Sequence, residues 1–181
     1  MGTIQDLEES HIGPHGNLGS SALKTHLYAD SLRKVAIIEN VISATEASHI
    51  NSLVVQSVIQ NITNKEYSQD LRADLAWFPP WTNERIQTVL NTHELQFVSK
   101  TLTCAKYTAN TGINVPADSP HPKFLLCLTR DPTVDIPKLE INRCIRLKVS
   151  LGTAIICYPG TSIILEITEP SEFLETNLVP S

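Results

Sequence analysis

With 181 residues, 41% of them hydrophobic, the chain is long enough for one domain with a full core, and nothing in it calls for a second. A formal net charge of -5, from 14 basic and 19 acidic residues without a Lys/Arg cluster, excludes the electrostatic footprint of a nucleic-acid or anionic-membrane binder. Cys104, Cys127, Cys144 and Cys157 are far apart, with no C-x-x-C pair and no nearby His-x-x-x-His; this spacing argues against a structural zinc and reads as buried free thiols in a reducing compartment. The acidic start of the chain lacks the apolar core of a secretory signal, and no run approaches the roughly 18 apolar residues of a membrane span. The expectation is a cytoplasmic protein with no membrane partner, in which Asn61-Ile62-Thr63 is a chance sequon.

Residues 1–33 are polar and punctuated by Gly13, Pro14, Gly16 and Gly19; they read as a flexible arm in which His11, His15 and His26 are solvated rather than metal-bound. Residues 34–181 form the single domain, with helical support over 43–100 and a β core over 101–179. Val35 to Ile38 is a short β-type run closed by Glu39-Asn40. Ser43 and Glu46 then form a capping box, each side chain positioned to bond the other's backbone N–H, and Ile50, Leu53, Val54 and Val58 follow at helical spacing, which predicts a helix over about 44–60. His49 falls on its surface. Asn61 to Ala76 is polar and mixed in charge, with no predicted element. Trp77-Phe78-Pro79-Pro80-Trp81 makes a proline-stiffened bend, Thr82 caps the next helix, and that helix, about 83–93, carries Ile86, Val89 and Leu90 on one face. Trp77 and Trp81 either plug the core or wall a ligand mouth, and their size favours the core.

From Leu95 the apolar period changes to two. The predicted strands are Leu102 to Thr108, Ile113 to Val115, Phe124 to Thr129, Ile141 to Val149, Ala154 to Tyr158 and Ser162 to Ile167. Many short strands with helices confined to the N-terminal half suit an α+β domain built on a β-sandwich or barrel.

The segment KYTANTGINVPAD, Lys106 to Asp118, resembles the tyrosine-to-His-x-Asp segment of iron(II)/2-oxoglutarate oxygenases, the prolyl 4-hydroxylase-like branch in particular. That family opens the strand with Arg-Tyr, has a Gly three residues after the Tyr, and places the metal-binding His and Asp nine and eleven residues after it. Here Lys106-Tyr107 opens the strand, Asn110 takes the Gly place, Pro116 stands at the histidine position and Asp118 keeps the acid. ENVISATEASHINSLV is similar to the strand and first helix of the same group, and Gly152 to Tyr158 followed by Ile164-Leu165-Glu166-Ile167-Thr168 is similar to the phrase that carries the second histidine, at Leu165. The resemblance spans about residues 35–170 and implies a double-stranded β-helix, or jelly roll, with supporting N-terminal helices.

The same resemblance implies a vestigial metal site. Neither Pro116 nor Leu165 can ligate iron, and after Lys148 no Arg or Lys remains to pair with the far carboxylate of 2-oxoglutarate. The expected cofactors are therefore none, with an iron/2-oxoglutarate oxygenase retained only as a minority reading in which His121 joins Asp118 in an unusual site. The favoured expectation is a metal-independent isomerase or cyclase of a small molecule, in the manner of secondary metabolism, with Asp118 and Tyr107 catalytic and Lys106, His121, Lys123, Arg143 and Tyr158 binding substrate. A partly buried Asp118 would have its charged form disfavoured, which suits proton transfer. The alternative is a non-catalytic ligand-binding protein, a homodimer or a partner subunit of an intact oxygenase; for it, the short sequence after Ile167 suggests an unfilled sheet edge, unless residues 173–179 complete the last strand.

Overall fold

The computed structural model describes residues 3–9, 23–29, 33–62, 71–74, 78–129, 132–137 and 144–181. Their elements run, in chain order, β1 (Thr3–Glu9), β2 (Leu23–Ala29), β3 (Lys34–Glu39), α1 (Ala44–Ile62), β4 (Leu71–Asp74), α2 (Pro80–Thr92), β5 (Leu95–Phe97), β6 (Thr101–Tyr107), β7 (Thr111–Asn114), β8 (Lys123–Cys127), β9 (Thr133–Pro137), β10 (Cys144–Lys148), β11 (Ala154–Cys157), β12 (Ser162–Glu166) and β13 (Ser171–Pro180). The strands form two antiparallel sheets. The larger is ordered β1-β2-β3-β11-β8-β13-β6-β4, with β5 also pairing β13, and the smaller is ordered β10-β9-β12-β7. Together they make a β-sandwich of jelly-roll-like form, supported by two helices among the described residues.

The strand sequences follow from which faces are covered. The central strands of the large sheet are buried on both sides, so they are apolar without alternation. On β3, β8 and β11, Ala36, Ile38, Phe124, Leu126, Ala154 and Ile156 join the helices in one core. Their alternating neighbours Val35, Ile37, Leu125, Cys127, Ile155 and Cys157 join the small sheet in a second core. The small sheet has one covered face: Ile163 and Leu165 of β12 point into the sandwich, while Ile164 between them is exposed.

The helices dock as their spacing requires. Ala47 and Ile50 of α1 and Ile86, Val89 and Leu90 of α2 are buried in the helix-side core. The Ser43/Glu46 capping box is present, with both reciprocal bonds at 3.1 Å. Glu46 also accepts from the Thr82 hydroxyl and, at 2.7 Å, from Arg85 Nη2, while Arg85 Nε donates to the Val41 carbonyl at 2.6 Å. Burial alone would push the Glu46 carboxyl up, but the Thr82 hydroxyl, the Ser43 N–H and Arg85 together hold it below its ordinary value.

Several elements differ from the sequence reading. Residues 3–9 and 23–29 of the supposed arm are strands, continuing the large sheet beyond β3; Leu23 and Thr25 alternate inward on β2, a period obscured by the polar residues around it. The polar stretch after α1 contains β4, which pairs along β6. β9 escapes prediction because its run is only TVDIP, although Val134 and Ile136 are buried. Thr82 is not the cap of α2: the helix begins at Pro80, because a proline is tolerated in the first turn, and Thr82 is buried against Glu46. Trp81 is 42% exposed rather than a core plug, and Trp77 lies outside the described residues. The sequence after Ile167 supplies a strand of its own. Residues 171–180 form β13, which lies inside the large sheet between β8 and β6. Cys104, Cys127 and Cys157 are buried.

Candidate functional site

The alternation of three adjacent strands brings a polar cluster to the inter-sheet face. On β8, Lys123 is in phase with Leu125 and Cys127; on β13, Glu175 is in phase with Phe173; on β6, Tyr107 packs against the same core. Glu175 lies opposite Leu125, and Lys123 lies opposite Asn177 one pleat further along, so Lys123 and Glu175 are diagonal neighbours. Tyr107 crosses Phe173 edge to face, with ring centroids 5.8 Å apart, and its hydroxyl donates to Glu175 Oε1. Lys123 Nζ stands 3.6 Å from the other carboxylate oxygen, Oε2.

This carboxyl is the most enclosed acid of that group: the Glu175 side chain is 12% exposed, against 31% for Lys123. Burial pushes its pKa from the ordinary 4.5 up to about 7. A carboxyl of that value exchanges a proton readily near neutral pH and can serve as acid or base. Cys157, directly across from Lys123 on β11, is pushed up to about 12 by burial and stays a neutral thiol.

The residues singled out from sequence separate in space. Tyr107 and Lys123 come together around Glu175. Asp118 lies on an exposed turn and not in the partly buried setting expected for it. Lys106 is exposed on β6. His121 is held in its turn: its Nδ1 is 3.2 Å from the Leu178 carbonyl and its N–H donates to Ser119 Oγ at 3.3 Å. Tyr158 faces the helix-side core, with Lys34 Nζ 4.4 Å above its ring; burial pushes its phenol up to about 12. It is thus on the opposite face of the large sheet from Tyr107. Arg143 lies outside the described residues.

Glu175 is the residue that sequence reasoning missed. Its signal was the phase of SEFLETNLVP, in which Phe173 and Glu175 fall on one face and Leu174 and Leu178 on the other. The residues at the three vestigial positions do not fit iron. Pro116 is exposed and has no donor atom, Asp118 is exposed, and Leu165 is fully buried in the inter-sheet core. Among the described residues no group of three His, Cys, Asp or Glu side chains converges to hold a metal ion, and no helix is long and apolar enough to cross a membrane.

No protein-family model matches the chain, and no curated protein matches it. Solved structures similar to it include a prolyl-4-hydroxylase from Pseudomonas putida, at 10% identity over 81% of this chain and 92% of that one, with a TM-score of 0.47. CENP-C from Drosophila melanogaster, bound to CAL1, is similar at 12% identity over 70% of this chain and 98% of that one, with a TM-score of 0.36. Peruvianin-I, a cysteine peptidase from Thevetia peruviana latex, is similar at 11% identity over 48% of this chain, which spans 60% of the peptidase, with a TM-score of 0.34.

Proposed function

We propose that this chain is a metal-independent isomerase or cyclase acting on a small molecule, with Glu175 as its proton-transfer group in the role first considered for Asp118. The observation that carries this reading is the placement of Glu175 on the inner face of the sandwich, held by the Tyr107 hydroxyl on one oxygen and faced by Lys123 on the other. Isomerisation and ring closure of carbonyl compounds need a group that removes and returns a proton at carbon, plus a donor or cation for the oxygen that becomes negative. Glu175 supplies the first and Lys123 the second.

The scaffold of this reading is a degenerate double-stranded β-helix of the 2-oxoglutarate oxygenase type. The order of β6 to β13 supports it: β6, β8, β11 and β13 lie side by side in the large sheet, and β7, β9, β10 and β12 make up the small one. The protein works in the cytoplasm without cofactor. The test is hydrogen exchange into an enolisable probe, 2-oxobutyrate, followed by proton NMR in D2O across pH 5–9. Exchange should rise with an inflection near the Glu175 value, about 7, and be lost in Glu175→Gln; exchange equal in wild type and Glu175→Gln would defeat the reading.

A second reading, a non-catalytic partner subunit or homodimer, draws on the apolar filling of the inter-sheet space, where Leu125, Ile155, Ile163, Leu165 and Phe173 are fully buried. Light scattering after size exclusion distinguishes it, since it requires self-association or a second chain.

A further inference from the structure

Lys123 opens β8 on its inter-sheet face. Strand alternation carries it on the same face as Leu125 and Cys127, both fully buried, with the buried thiol of Cys157 across from it on β11. Its ammonium is 3.6 Å from Glu175 Oε2, too long for a hydrogen bond and short enough that a small rotation makes one. Tyr107 fixes the other oxygen of the carboxyl and so holds Oε2 toward the amine. A nucleophilic amine needs a base within reach of its proton, and Glu175 Oε2 is placed to be that base. The 31% exposure of Lys123 leaves Nζ reachable from solvent while Glu175 stays enclosed.

We propose that Lys123 is a covalent nucleophile that forms a Schiff base with a ketone or aldehyde substrate, with Glu175 as its proton shuttle. The inference rests on the acid/base role of Glu175 above, replaces the charge-stabilising role of Lys123 with a covalent one, and names the substrate class of that site. Lys123 passes a proton to Glu175, and the amine lone pair forms an N–C bond to the carbonyl carbon. The carbonyl π electrons move to oxygen, which takes the proton from Glu175. The resulting carbinolamine loses its hydroxyl as water, the departing oxygen taking one further proton through Glu175 and the nitrogen having shed its own. Amine and carbonyl thus become imine and water, with no oxidant or reductant required. The imine, once protonated, draws electrons from the adjacent carbon, whose proton Glu175 can then remove, and the shift of that proton is the isomerisation.

The test uses the intact protein and 2,4-pentanedione, which gives a near-ultraviolet-absorbing enaminone with an amine and loses one water in doing so. At pH 7, wild type should take up one equivalent rapidly, located at Lys123 by peptide mass spectrometry. Lys106 and Lys100, which are exposed, serve as internal references. Glu175→Gln should slow the labelling of Lys123 by about a hundredfold, the range of general acid–base catalysis, and leave the two reference lysines unchanged. Labelling of Lys123 no faster than that of Lys106 and Lys100 in wild type overturns the proposal without recourse to any variant, as does a Lys123 rate that is unaltered in Glu175→Gln. If Lys123 is not labelled while Glu175-dependent exchange of 2-oxobutyrate persists, the covalent step is refuted and the acid/base reading stands; if both are absent, both fall.

Discussion

Glutamine at position 175 keeps the shape of the carboxyl and its bond from Tyr107 but removes a charge that the fold encloses. A rise in pKa from 4.5 to about 7 in the folded protein corresponds to about 3 kcal/mol, at roughly 1.36 kcal/mol per pKa unit. The folded carboxyl holds its proton more tightly than the unfolded one. Its stabilising contribution is therefore complete below about pH 4.5 and is lost as pH climbs through about 7. Glu175→Gln should thus match wild type near pH 4 and exceed its stability by about 3 kcal/mol at pH 8.5. Urea unfolding followed by circular dichroism, at intervals across this range, measures the difference. A wild-type-minus-variant difference that is constant with pH would show that Glu175 is not enclosed as a charge in the folded state, and the site would lose its acid.

Removing the phenol in Tyr107→Phe should lower stability by about 1 kcal/mol and move the Glu175 carboxyl still higher, a shift visible by carbon-13 NMR of the labelled side chain. Glu46→Ala leaves Arg85 buried without its partner and should destabilise by about 3 kcal/mol at pH 7. Because the folded Glu46 lies below its ordinary value, this contribution exists above the ordinary carboxylate range and fades as pH falls through the lowered one, so chemical unfolding of wild type and variant should converge in acid. Gly152→Ala should lower stability by at least about 2 kcal/mol in thermal or urea unfolding. Gly152 has φ +79°, and a Cβ there would stand 1.9 Å from the Ile42 carbonyl oxygen.

Much of the architecture was legible because it rests on local chemistry. The Ser43/Glu46 box marks the start of α1, the 3.6-residue spacing of Ile86, Val89 and Leu90 marks the buried face of α2, and the apolar runs at Val35, Phe124 and Ala154 become the doubly covered strands of the large sheet. What was hidden depends on partners remote in sequence. Strands β1, β2 and β4 are polar enough to pass for loops, and they are strands because an extended neighbour offers them its free edge. The site divided in the same way. Tyr107 was visible through its motif, whereas Glu175 belongs to the site because β13 inserts between β8 and β6, a placement that no local spacing encodes. Asp118 kept its place in the motif, but the turn that carries it points it to solvent.

The insertion of β13 also covers two strand edges. Strand β6 does not pair with β8, because the seat between them belongs to residues 171–180. Without those residues each strand keeps one unpaired edge, the kind of surface that recruits other chains. A fragment ending before β13 should therefore associate more readily than the chain that carries it, a difference that light scattering measures.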